Sequence, residues 1–130
     1  MNIQFKPEGY NSVSPYFIID NAQKFIDLMV AVFDAVPLRR YDREDGQIAH
    51  AELKIDDSVI MLSSSTENFP AITLCMHVYV RDSKDIYEKA LAAGCTGIEE
   101  PENKENDPDI RGTFIDPAGN MWSVGTQKSD

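Results

Sequence analysis

Between Thr73 and Asp82 apolar and polar side chains alternate without a break. Leu74, Met76, Val78 and Val80 fall on one side, and Thr73, Cys75, His77 and Tyr79 on the other. A period of two predicts a strand with two distinct faces. The apolar face suits a core. The other carries a thiol, an imidazole and a phenol in succession, a composition better suited to a pocket wall than to a plain solvated surface.

Upstream, residues 1–11 read as an extended leader, broken by Pro7 and Gly9. A strand over about Val13–Ile19 places Phe17 and Ile19 opposite Ser14, Tyr16 and Ile18, and Pro15 makes it an edge strand or one that starts at a bulge. Asn21 is placed to cap a helix whose Ala22, Phe25, Ile26, Met29 and Phe33 form one apolar stripe, closed by Pro37. A short strand follows at Leu38–Tyr41, then a turn at Arg43–Gly46. Gln47–Ile55 and Ser58–Leu62 form a hairpin around Asp56-Asp57, with Ile48, His50, Glu52 and Lys54 sharing one face of the first strand.

After a polar connector at residues 63–70 the order returns. The Thr73–Asp82 strand leads to a helix capped by Ser83, with Ile86, Ala90 and Leu91 as its stripe and Gly94 as its stop. Then come a short strand at Thr96–Ile98, an acidic loop at Glu99–Asp109, and a hairpin of Gly112–Ile115 with Met121–Gly125 around Asp116-Pro-Ala-Gly119. The element order β-α-β-β-β thus occurs twice, a repeat of about 60 residues. The predicted fold is α+β: a single domain over residues 1–130, with modules at about 12–64 and 72–127. One such unit leaves a sheet face uncovered, so two units are expected to pair.

Composition narrows the function. Twenty-two acidic against twelve basic residues give a net charge of −10, which disfavours nucleic-acid partners. It suits a cationic small molecule or a metal, although solubility alone is the simpler reading. No apolar run approaches the roughly 20 residues of a membrane span, and the N-terminus lacks a signal-peptide core. Cys75 and Cys95 are two cysteines, too few for a disulfide framework, and are expected as reduced thiols in a cytoplasmic protein.

Five segments carry a family likeness: Val13-Ser-Pro-Tyr-Phe-Ile-Ile19, Ile48-Ala-His-Ala-Glu-Leu53, Val59-Ile-Met-Leu62, His77-Val-Tyr-Val-Arg-Asp82 and Asp116-Pro-Ala-Gly-Asn-Met-Trp122. With them the chain resembles the vicinal oxygen chelate superfamily of glyoxalase I, bleomycin-resistance proteins and extradiol dioxygenases. It is most similar to the small bacterial glyoxalase-like branch. The resemblance spans about Val13 to Gln127. It implies two tandem βαβββ modules whose curved mixed sheets enclose a cavity, and a homodimer in which a second chain completes it.

Metal-dependent members bring one His or Glu from each of four strands to that cavity. Carried onto this chain, the positions fall on Ser14, Glu52 (with His50 two residues earlier), His77 and Ser123. Unionised serine is a poor ligand for Zn, Ni, Mn or Fe. His50 and Glu52 would have Cβ atoms about 7 Å apart along one strand, which strains shared ligation. The expected metal set of His77 and Glu52 is therefore incomplete; no cofactor is expected for a binding protein, and a divalent Zn, Ni, Mn or Fe ion only under the alternative of a metal-dependent enzyme.

Glu52 is the candidate general base if burial raises its pKa toward neutrality, set against simple pairing with Lys54 or an arginine. His77 either acts or only hydrogen-bonds in the cavity. Cys75 beside it is more plausibly packing than nucleophile. Tyr16, Tyr79 and Met121 are candidate walls for a planar ligand together with Ser14, His50, Cys75 and Ser123, whereas Trp122 belongs to the core. Arg39, Arg40 and Arg43 are read as surface charge, and the acidic loop as solvated.

Two functions follow. One is a dimeric protein that binds a small, cationic or aromatic molecule without a complete metal site. The other is a metal-dependent lyase, isomerase or thiol transferase of the glyoxalase I type, using His77 and Glu52.

Overall fold

The computed structural model describes residues 4–128, so residues 1–3 of the leader and 129–130 lie outside the described residues. Its elements run β1 (Tyr16–Ile19), α1 (Ala22–Phe33), β2 (Val36–Asp42), β3 (Ile48–Ile55), β4 (Ser58–Ser64), β5 (Cys75–Tyr79), α2 (Ser83–Ala92), β6 (Thr96–Glu102), β7 (Asp109–Ile115) and β8 (Met121–Gln127). The two βαβββ modules are as the repeat predicts. Each forms its own four-stranded mixed sheet, ordered β1-β4-β3-β2 and β5-β8-β7-β6. In each, the first strand runs parallel to the last, Tyr16 opposite Met61 and His77 opposite Ser123, and the other pairs are antiparallel.

The two sheets share one core on their helix-bearing faces. Phe17 of β1 stacks on Trp122 of β8 with ring centroids 5.7 Å apart and planes 11° from parallel. Phe33 of α1 reaches both Trp122, at 5.2 Å, and Phe114 of β7, at 6.4 Å. Helix α1 is buried along Ala22, Phe25, Ile26, Leu28, Met29, Val32 and Phe33, a wide stripe that serves both modules. Trp122 is fully buried, as its parity predicts, and its indole Nε1 donates to Asp116 Oδ2 at 2.8 Å. Asp116 also accepts from the Ala118 and Asn120 amides, so one carboxylate organises the β7–β8 turn.

Several expected boundaries are corrected. β1 begins at Tyr16, and Pro15 just ahead of it contributes only its carbonyl, which accepts from the Met61 amide of β4. Asn21 precedes α1 but makes no side-chain cap bond. Helix α1 ends through Asp34 in the left-handed conformation (φ 54°), and Pro37 lies inside β2 at a register shift. The cap of α2 is Asp82, whose carboxylate accepts from the Asp85 amide, while Ser83 is a buried first-turn residue. Leu91 is exposed and Tyr87 takes its place in the stripe. β6 and β7 consume the ends of the acidic segment, leaving a loop of residues 103–108. Gly94 stops α2 at φ 105°, as expected.

One expectation changes in kind. The sheets do not close on each other to enclose a cavity within the chain; their polar faces point away from the shared core. No helix of the described residues is long and apolar enough to cross a membrane.

Candidate functional site

The predicted site residues separate into two groups, one on each open sheet face. On the first sheet, Tyr16 of β1 and His50 and Glu52 of β3 share a face, as alternation requires. Ser14 lies half-buried just ahead of β1, where the Asn11 side chain donates to its Oγ at 3.2 Å. On the second sheet, Cys75, His77 and Tyr79 of β5 lie beside Met121 and Ser123 of β8, with Cys75 opposite Met121 and His77 opposite Ser123. Cys75, His77, Tyr79 and Met121 are exposed, so Cys75 does not take the packing role expected of it, and the opening strand keeps the two faces its pattern predicts.

Glu52 is the buried centre of the first face. Tyr10 donates its phenol to Oε1 at 2.5 Å, and His50 Nε2 lies 2.8 Å from Oε2. A carboxylate only accepts, so Nε2 carries the proton, and the neutral ring then offers Nδ1 as an acceptor. In that neutral form Tyr16, 3.1 Å from Nδ1, fills the donor role. The result is a directed chain, Tyr16 to His50 to Glu52, with Tyr10 closing the other oxygen. Burial alone pushes the Glu52 carboxyl up, but the bonds from Tyr10 and His50, aided by the nearby Arg39 charge, outweigh it and hold the group below its ordinary value. The raised pKa that a general base here requires is not what this environment produces. In turn, the Glu52 carboxylate raises the Tyr10 phenol.

The second face is organised by Arg111 of β7. Its Nη2 donates to Asp109 Oδ2 at 2.6 Å, its Nε to Asp107 Oδ2 at 3.1 Å, and its Nη1 to His77 Nε2 at 2.5 Å. Tyr79 donates to the same Asp109 oxygen at 2.7 Å. Desolvation opposes the Arg111 charge, but Asp107 and Asp109 prevail and raise its pKa. The packing depends on Gly125 of β8: a Cβ there would lie 3.1 Å from His77 Nε2 and 3.6 Å from Arg111 Nη1. A Cβ at that position would require the His77 ring to give way by a few tenths of an ångström.

The metal positions suggested by the resemblance do not fit within one chain. Glu52 and His77 stand on different sheets, each engaged by its own neighbours, and the two serines are weak donors. Among the described residues no group of three His, Cys, Asp or Glu side chains is placed to hold an ion.

Tyr10, Tyr41, Arg111, Asp107 and Asp109 were not singled out by sequence. Tyr10 lies in an irregular segment with no periodic signal. Arg111 carries a parity signal: it shares a face with Thr113, which pairs with Ser123, and so lies on the His77 face. Arg40 and Arg43 make exposed ion pairs with Asp42 and Asp45. The acidic segment is in part a grip on Arg111.

No protein-family model matches the sequence. The uncharacterized protein Mb0911c of Mycobacterium bovis is 31% identical over 125 residues, covering 88% of this chain and 82% of that protein. Among solved structures, TioX from Micromonospora sp. ML1 superposes with a TM-score of 0.76 at 18% identity, covering 91% of this chain and 99% of that one. TnmS3, an antibiotic binding protein from Streptomyces sp. CB03234, gives 0.68 at 15% identity over 92% of this chain and 100% of that one. A glyoxalase/bleomycin resistance protein/dioxygenase family enzyme from Burkholderia phytofirmans PsJN gives 0.64 at 15% identity, covering 89% and 96% respectively. The chain thus belongs to one family with the mycobacterial protein Mb0911c and is built on the fold of the vicinal oxygen chelate superfamily.

Proposed function

We propose that the chain is a cytoplasmic binding protein that takes up a small aromatic molecule between sheet faces contributed by two copies, without a complete metal site. The observation that carries this reading is the pair of open faces. Tyr16 and Tyr41 on one sheet, and Tyr79 and Met121 on the other, remain exposed large side chains around polar groups that range from buried Glu52 and Asp109 to exposed His77. Exposed apolar and aromatic surface rimmed by polar groups marks a binding surface. A second copy is the natural cover, because each chain offers both kinds of face. Likeness to an antibiotic binding protein supports the same reading. Free thiols at Cys75 and Cys95 suit a reducing compartment.

A metal-dependent lyase, isomerase or thiol transferase is the second reading. It is favoured by Glu52, which is held ionised as a ligand must be. The two readings part in one experiment on protein purified without tag or chelator. The binding reading expects no stoichiometric Zn, Ni, Mn or Fe, and a rise in melting temperature with members of a panel of aromatic compounds. Stoichiometric metal that disappears in a His77→Ala variant would instead establish the metal-dependent reading.

A further inference from the structure

The hydrogen bonds of the first sheet face have a direction, and the direction constrains what can bind there. Both Glu52 oxygens are taken, by Tyr10 and by His50. With the His50 ring neutral and its proton on Nε2 toward Glu52, the single Tyr16 proton is committed to His50 Nδ1, 3.1 Å away. What Tyr16 still offers is the lone pairs of its oxygen, and among the described residues no group donates to them. A ligand that brought an acceptor to this oxygen would have to turn the Tyr16 proton outward, leaving His50 Nδ1 without its donor and breaking the chain.

The surroundings are aromatic. His50 lies between two tyrosines, its ring centroid 5.7 Å from that of Tyr16 and 6.4 Å from that of Tyr41, with interplanar angles of 35° and 26°. Tyr41 is 59% exposed and Tyr16 38%, so both present ring surface outward. Ring surface accommodates a planar aromatic ligand by offset or edge contact.

Resting on the binding reading above, we propose that the Tyr16–His50–Glu52 chain selects planar aromatic compounds that carry a hydroxyl or N–H donor, which the Tyr16 oxygen accepts. Masking that donor with a methyl group leaves two oxygens facing each other and loses the bond, a penalty on the order of tenfold in affinity.

The test uses 2-naphthol and 2-methoxynaphthalene, titrated into the wild-type protein and into Tyr16→Phe and followed by protein NMR shifts. Wild type is expected to bind the naphthol about tenfold more tightly, and Tyr16→Phe to bind both equally. An unchanged affinity of the variant for 2-methoxynaphthalene shows that its face is intact. Equal affinities in wild type, or a preference that survives in Tyr16→Phe, would overturn the selection while leaving the binding reading standing. Failure of both compounds to bind would overturn the two together.

Discussion

Arg111 donates from Nη1 to Nε2 of His77 at 2.5 Å, with a carboxylate on each of its other donating nitrogens. A guanidinium has no acceptor, so in this arrangement His77 accepts at Nε2 and carries its proton on Nδ1. The imidazole that family likeness marks as a metal ligand therefore spends one nitrogen on a cation. Ring nitrogen NMR of His77 is expected to show the Nδ1–H tautomer in the neutral form, and Arg111→Met to abolish that preference. An Nε2–H tautomer in wild type would show that the pair does not persist in solution.

Glu52 makes stability depend on acid. Its folded pKa lies below the ordinary 4.5, so the unfolded state binds the extra proton as pH drops. The stabilisation is complete above pH 4.5 and falls away as pH passes down through the folded value. Denaturant unfolding of Glu52→Gln is expected to show a shallower loss in that window than wild type. Parallel curves would mean that Glu52 is not held ionised.

Tyr10 closes the Glu52 network from an irregular segment. Tyr10→Phe keeps the ring and removes the donor, leaving Oε1 of a buried carboxylate without its 2.5 Å partner. A loss of about 1–2 kcal/mol in unfolding free energy is expected. A neutral result would place Tyr10 outside the network.

The lone tryptophan, Trp122, reports on the junction of the modules, because it touches Phe17, Phe25 and Phe33 while donating to Asp116. Trp122→Phe retains most of the ring contact and loses the bond, at a cost of about 1–3 kcal/mol by equilibrium unfolding. Because both sheets share this core, circular dichroism and Trp fluorescence of wild type are expected to report one transition.

The two thiols differ by environment. Burial, with the Asp116 charge second, pushes the Cys95 pKa up to about 11, whereas Cys75 is exposed. Thiol reagents are expected to modify Cys75 in the folded protein and Cys95 only at the rate of unfolding. Folding keeps the Cys95 proton, so its contribution to stability is lost as pH rises from the ordinary 9.0 toward 11.

Much of this was legible in the sequence, for identifiable reasons. Strand parity placed Cys75, His77 and Tyr79 together and Trp122 in the core, because a period of two fixes a face wherever one side is buried. The repeated element order gave two modules. Parity is silent on how modules are set against each other; the resemblance placed Glu52 and His77 around one cavity, and within one chain they lie on separate sheets. Nor does residue type identify a partner. Burial suggested a raised Glu52 pKa, but donors from Tyr10 and His50 reverse the direction. Caps erred by one position where Asp82 and Ser83, both good caps, stand side by side.

The central claim, a ligand cavity shared by two copies, is tested most directly by sedimentation velocity with 2-naphthol, recorded where only the naphthol absorbs. The account predicts that the naphthol travels with a species of twice the 14.6 kDa chain mass. Naphthol that stays behind, or that travels with a single chain, would contradict it.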